Sequence, residues 1–256
     1  VVASTDAAAV LFLINAGGLR LRPRVRATLE VESGTNDPFA IFLVLALVEF
    51  LLAGDQNWGD VLATFAQDTI LGCAIGWFGG RVIAFVLNRL NLAQGLHAPF
   101  VAISALVVFA FGNALHASGF LAVYLAGLVV GNRQTRARNT VVVFLDAVTW
   151  LAQIVMFVLL GLLAWPHRLV DSLAGAVVLA LVLMLVARPA AVFLCLAPFN
   201  FQWREKLFIS WVGLRGAVAI FLASIPLLVG LPAGYLYFDV AFVVVFSSLL
   251  IQGWSV

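Results

Sequence analysis

Charge is what this chain has least of. Its 256 residues include 14 Lys and Arg and 12 Asp and Glu, 10% in all, where a soluble domain carries about 25%. So few polar groups cannot cover a water-facing surface. A soluble enzyme, a nucleic-acid-binding domain and a disordered segment are excluded together. The net charge of +2 supports no argument from bulk charge. Cysteine is also scarce. Cys73 and Cys195 lie far apart inside apolar runs and read as small buried hydrophobes, so they say nothing of redox compartment. The three histidines, His97, His116 and His167, have no partners at ligand spacing. No metal site and no cofactor is implied. Ser/Gly-rich linkers and low-complexity tracts are missing as well.

What fills the chain instead is apolar. Hydrophobic residues make up 64% and the mean hydropathy is +1.13. A membrane span needs about 20 apolar residues, and a barrel would alternate in strands of roughly ten. The runs here are long and continuous, so the spans are helical. They fall at about 1–19, 29–53, 61–90, 98–115, 117–132, 141–165, 169–196, 205–230 and 237–256. The expectation is an all-α polytopic membrane protein with residues 1–256 as one transmembrane domain of about nine helices. With no starting Met, no basic leader and an end inside an apolar run, the domain reads as truncated at both ends, its first and last helices incomplete.

The connections set the orientation. Arg20, Arg22, Arg24 and Arg26 fill the first, Arg89 the third, Arg133, Arg136 and Arg138 the fifth, Arg204 and Lys206 the seventh. The second, Gly54 to Asp60, has Asp55 and Asp60 and no base; among even-numbered connections only the sixth has one, Arg168. The positive-inside rule places the odd connections in the cytoplasm.

Ionisable residues left inside the spans are functional candidates by default, the alternatives being a snorkelling side chain or a structural ion pair. They are Asp6, Glu32, Asp37, Arg81, Arg188 and Arg215, with Glu49, Asp68 and Asp146 nearer to ends. Asp37 lies in Glu32-Ser33-Gly34-Thr35-Asn36-Asp37-Pro38, roughly 12 Å past the inner start of its helix. Ser33 shares its face, Asn36 offers a carbonyl oxygen beside it, and Pro38 should disturb the helix. A carboxylate, a hydroxyl and an amide oxygen suit a small hard cation; a satisfied polar kink is the alternative. Asp6, among small residues within the first span, lies about 20 Å from the inner face, near Asp37. Glu32 and Arg188 sit at similar depth and should pair in lipid, with Arg215 as the competing partner.

Gly213-Leu214-Arg215-Gly216 is a candidate helix break. Asp6 and Arg215 are each followed by a small-residue stretch and then a Phe at the same offset, Phe12 and Phe221. Their helices run in opposite directions, as an inverted repeat of broken helices requires. A carboxylate on one and a guanidinium on the other can offset the partial charges at the broken ends.

These stretches resemble the monovalent cation:proton antiporters of the NhaP/NHE type. Thr5-Asp6, Glu32 to Pro38 and Gly213 to Ala217 are similar to that signature. Ser118 to Gly127, Trp150 to Phe157 and Phe208 to Arg215 are similar to the bacterial potassium/proton branch. The resemblance implies a thirteen-helix inverted-repeat fold with crossed broken helices, of which this chain would be a fragment beginning in the fifth helix. It implies exchange of potassium or sodium for protons by alternating access, in a bacterial inner membrane, by a protein that is no enzyme and is a homodimer at full length. By the same likeness Asp37 carries the ion or the proton, with Thr5, Asp6, Ser33 and Asn36 assisting. Glu32 pairs with Arg188, and an Asn-Asp pair marks an electroneutral branch. Two rivals stand against it. A cation channel would need a continuous pore. An intramembrane aspartyl protease would need a dyad, and no Gly-x-Gly-Asp motif is present.

Overall fold

The computed structural model describes residues 2, 4–16, 18, 21–53, 58–93 and 95–255. Arg20, Asp55 and the side chain of Glu49 lie outside the described residues. The described chain is all-helical: α1 (Ala7–Ala16), α2 (Pro23–Ala53), α3 (Trp58–Arg89), α4 (His97–Ala114), α5 (Gly119–Gly131) and α6 (Arg138–Leu163) come first. After them come α7 (Pro166–Val182), a π turn (Leu183–Ala187), α8 (Arg188–Cys195), α9 (Trp203–Trp211), α10 (Ala217–Leu228) and α11 (Gly234–Ser255). Among the described residues, six stretches are long and apolar enough to cross a membrane, with α5 and α10 as shorter apolar helices.

Each apolar run maps onto one helix or one consecutive group, with three differences. Among the described residues the first run is helical over Ala7–Ala16, so Asp6 precedes its helix, and residues 4–6 are not helical. The run at 205–230 is split into α9 and α10 by non-helical residues 212–216. The run at 169–196 carries a π turn immediately before Arg188-Pro189. Pro38, expected to disturb α2, lies inside an unbroken helix. A proline costs a helix one hydrogen bond, and the turns on either side of it outweigh that loss.

The chain divides into two compact units. The first contains residues 1–40 and 156–256. Its core joins Val10 and Ile14 of α1, Leu29 of α2, Val192 of α8 and Ile209 of α9 around Leu214. A second cluster joins Leu160 of α6, Ile220 of α10, and Phe238 and Val245 of α11. At the N-terminal end of α11, Arg168 Nε lies 3.3 Å from Asp239 Oδ2, and the guanidinium stacks on Tyr235. Asp239 is a charged residue inside an apolar run that the sequence reading passed over.

The second unit, residues 41–155, is organised by glycine. A Cβ on Gly72 would fall 3.0 Å from Ser118 O, on Gly76 2.4 Å from Ala122 O, and on Gly80 2.8 Å from Ala126 O. Three glycines at four-residue spacing on α3 therefore face three small residues at the same spacing, the N-cap Ser118 and Ala122 and Ala126 of α5. Small residues allow backbones to approach closely where lipid supplies no hydrophobic drive between helices. The Ser118 hydroxyl caps α5 by accepting from Leu121 N at 3.3 Å.

Gly76→Ala should therefore destabilise the full-length protein by about 1–3 kcal/mol, the usual cost of overpacking. Gly175→Ala on α7, where an added Cβ meets nothing within 4 Å, should be close to neutral. Thermal melting of both variants in one detergent checks the contrast.

Candidate functional site

The site is built where the start of α1 meets the break between α9 and α10. Asp6 N donates to Leu214 O at 2.8 Å, so the non-helical stretch before α1 meets the one between α9 and α10 through backbone. A break leaves orphan donors and acceptors at each new helix end, and here they find partners. At the C-terminus of α9 all four last carbonyls are satisfied. Phe208 O accepts from Val212 N at 3.0 Å. Ile209 O and Ser210 O accept from Arg188 at 3.3 and 3.1 Å. Trp211 O accepts from Gln252 Nε2 at 2.8 Å. In the break itself Arg215 N donates to Ser248 Oγ at 3.3 Å, and Ser248 donates to Gln252 Oε1 at 2.6 Å. Ser248 and Gln252 are fully buried.

The opposite sign is handled by Asp6. Its carboxylate accepts from Ala9 N of α1 at 3.0 Å, and a Cβ on Gly216 would fall 2.7 Å from its Oδ2. Gly216 is the residue that opens α10. One carboxylate thus stands at the N-terminal ends of two helices, where partial positive charge collects. Only glycine leaves room for it there. Ala7 N, the other early donor of α1, bonds to Ser33 Oγ at 3.3 Å, and Ser33 in turn donates to Thr5 O at 2.7 Å.

Around this crossing the sequence-derived residues fall together. Ser4, 1% exposed, donates its hydroxyl to Asp37 Oδ1. Thr5 Oγ1 lies 3.5 Å from both Glu32 Oε1 and Asn36 Nδ2. Arg188 donates to both Glu32 oxygens, at 2.8 and 3.2 Å. A Cβ on Gly213 would overlap the Arg188 side chain, so the arginine packs against the broken segment where only glycine leaves room. The structure thus brings Arg188, and not Arg215, to Glu32 and to the helix-end carbonyls. Arg215 is 5% exposed. Its Nε and Nη1 have no hydrogen-bond partner among the described residues. It lines a cavity of about 810 Å³ with Arg24, Glu32, Asn36 and Arg188.

Three members of this arrangement were not among the sequence candidates: Ser4 as a partner of Asp37, and Ser248 and Gln252 as braces of the break. The signal for the last two was available. Both are polar side chains inside an apolar run, four residues apart and so on one helix face.

A profile of one protein family, "Sodium/hydrogen exchanger, transmembrane", matches residues 1–256. The chain belongs to the sodium/hydrogen exchanger family. It is 45% identical over its whole length to a protein of Alkalimonas amylolytica named K(+)/H(+) antiporter NhaP. It is 46% identical to one of Shewanella baltica named K(+)/H(+) antiporter NhaP2. The chain spans 45% and 44% of those two exchanger relatives. Its fold matches that of the sodium proton antiporter MjNhaP1 from Methanocaldococcus jannaschii with a TM-score of 0.82 and 25% identity, over 98% of this chain and 66% of that one. The exchanger fold is thereby shown, and the chain is consistent with a fragment of it.

The Glu32–Arg188 contact leads to a double-mutant cycle. Glu32→Gln or Arg188→Gln alone leaves one charge uncompensated and should cost about 3–5 kcal/mol in the full-length exchanger. The double variant should lose less than the sum of the two. The same cycle on Glu32 and Arg215 should show little coupling. Melting temperatures of the variants read it, and coupling to Arg215 alone would reverse the assignment.

Proposed function

We propose that this chain forms the ion-translocating region of a secondary antiporter that exchanges potassium or sodium for protons across a membrane. The observation that carries the proposal is Asp37, a half-buried carboxylate on α2 that accepts from the Ser4 hydroxyl. It stands beside Asn36, Thr5 and Ser33 at the crossing of the broken segments. A carboxylate with hydroxyl and amide oxygens around it takes a hard monovalent cation, and the same oxygens take a proton. The two ligands compete for one site. Exchange results when the site opens to either face in turn and the empty, charged carboxylate crosses poorly. Thr5, Ser33 and Asn36 assist in this reading, Asp6 holds the broken ends, and Glu32 with Arg188 sets the frame. Arg215 completes the charge balance of the break.

The names of the relatives support potassium as well as sodium, since the two bacterial ones are potassium/proton antiporters and the archaeal structure is a sodium/proton antiporter. One carboxylate that carries one proton or one monovalent cation moves no net charge, so the exchange is electroneutral. The protein in this proposal spans a bacterial inner membrane as a homodimer, with residues 1–256 as its transport domain.

Asp37→Asn in the full-length protein should abolish cation-driven proton flux in liposomes and leave membrane insertion intact, while Asp37→Glu should keep part of the activity. Normal exchange in the Asn variant would overturn the site. Clamping the membrane potential should leave the wild-type exchange rate nearly unchanged. A steady transport current would show a second moving charge, and cation flux without proton coupling would favour a channel.

A further inference from the structure

We infer that the cavity between α2 and α8 in the first unit takes an amphiphilic organic anion, its acidic head on Arg215 and its chain along the α8 wall. The inference starts from a guanidinium whose donors are not spent. Arg215 is buried, and its Nε and Nη1 have no hydrogen-bond partner among the described residues. No carboxylate among the described residues lies within ion-pair distance of it. The C-terminus of α9 offsets about half a charge, but its carbonyls are already taken by Val212, Arg188 and Gln252. A buried charge is costly unless it is paired. Water can meet a donor and still leave the charge in place.

The cavity that Arg215 lines, about 810 Å³, has the sign that such a charge calls for. Its charged lining residues are Arg24, Glu32, Arg188 and Arg215. Glu32 is occupied by Arg188, which donates to both of its oxygens. Arg24 and Arg215 remain, so the cavity is net positive, the wrong sign for a cation's route and the right one for an anion. On α2 its wall follows Arg24, Thr28, Glu32 and Asn36, four residues apart and so on one face, over roughly 18 Å. Arg24 stands at one end, held over the Phe201 ring at 3.9 Å and donating to Asn200 O at 2.9 Å. Arg215 stands at the other. Its neighbour Leu214 bonds to Asp6 N, and Thr5, next to Asp6, reaches Glu32 and Asn36.

Between these ends the walls are apolar, formed by Val31 on α2 and by Ala191, Val192, Leu196 and Phe199 across from it. Val31 and Phe199 are exposed. A cavity of this size, largely apolar with a few convergent polar groups, has the usual form of a small-molecule site. An apolar trough that ends on a buried guanidinium is complementary to a long-chain carboxylate, which a bilayer can carry to it. An inorganic anion would meet Arg215 and leave the trough uncovered. Another segment of the full-length protein would have to bring an acid to Arg215 while it filled the trough.

The test is photolabelling of the full-length protein in liposomes with palmitic acid that carries a diazirine at mid-chain. Label is expected on residues 27–31 and 191–199, and unlabelled palmitate should compete it away. Arg215→Gln should reduce it there severalfold, with label elsewhere unchanged, and Arg215→Lys should retain most of it. Ala191→Trp, which fills the trough and leaves the arginine in place, should also reduce it and keeps the test valid if the Gln variant folds poorly. Hexadecanol, the uncharged analogue, should compete weakly, and chloride should not compete. Competition by hexadecanol equal to that of palmitate, or Arg215→Gln retaining full label, would overturn the inference. So would displacement by chloride, the mark of a small-anion site, or a crosslink from Ala191 to another segment of the protein in place of fatty-acid label.

Discussion

A helix broken inside a bilayer releases backbone donors and acceptors that lipid cannot satisfy, and each unmet group costs several kcal/mol. The first unit is arranged around that constraint. The hydrogen bond from Asp6 N to Leu214 O joins two broken segments, and the surrounding side chains are those that meet the remaining groups. Arg188 and Gln252 serve the carbonyl end of α9. Asp6 and Ser33 serve the amide end of α1. Ser248 serves the break between α9 and α10. The residues that look like an ion site in the sequence are therefore, in the first instance, residues that make a broken backbone tolerable in lipid.

This double duty explains why Arg188 stands where it does. A guanidinium has five donors in a rigid fork. Here it directs donors to both oxygens of Glu32 and reaches two helix-end carbonyls as well. Removing it would strand an acid and a helix terminus together. The π turn just before it belongs to the same device, because a π turn inserts an extra residue into a helix and re-aims the side chains beyond it. Pro189 follows directly, and the chain stays helical through it from the π turn into α8. Glu32 is held in turn by the partner that braces the crossing, which fixes α2 at the level of the break.

Much of this was legible in the sequence, for physical reasons that differ from residue to residue. The apolar runs are set by bilayer thickness, so helix order could be read from their lengths. Gly213 and Gly216 around Arg215 marked the break, because a charge flanked by two glycines is a poor helix interior. Glu32 and Arg188 could be matched by depth, since both count from the same face. What depth cannot supply is orientation around a helix. The π turn rotates Arg188 by an amount that no periodicity argument contains. The stripe of Gly72, Gly76 and Gly80 gains meaning only beside Ser118, Ala122 and Ala126. Ser248, Gln252 and Asp239 were passed over as lone polar residues in an apolar run, although each has a named partner. Pro38 lies inside a continuous α2, because a long helix absorbs one missing donor.

The arrangement also separates three carboxylates by what occupies them. Glu32 faces a guanidinium that donates to both of its oxygens, a partner with donors and no acceptor. The Thr5 hydroxyl also reaches Glu32, at 3.5 Å, but the shorter, charge-assisted bonds from Arg188 govern it. Asp6 accepts from a backbone amide at a helix N-terminus, and that donor too has nothing to offer a protonated acid in exchange. Asp37 accepts from a hydroxyl. A hydroxyl has one proton and two lone pairs. It can donate to a charged carboxylate, accept from a protonated one, or turn a lone pair to a cation beside it. Asp37 is thus the acid held by a partner that can reverse its role, and it can change ligand without stranding a fixed donor. That difference, more than its depth, is the physical ground on which the exchanging role is proposed for Asp37.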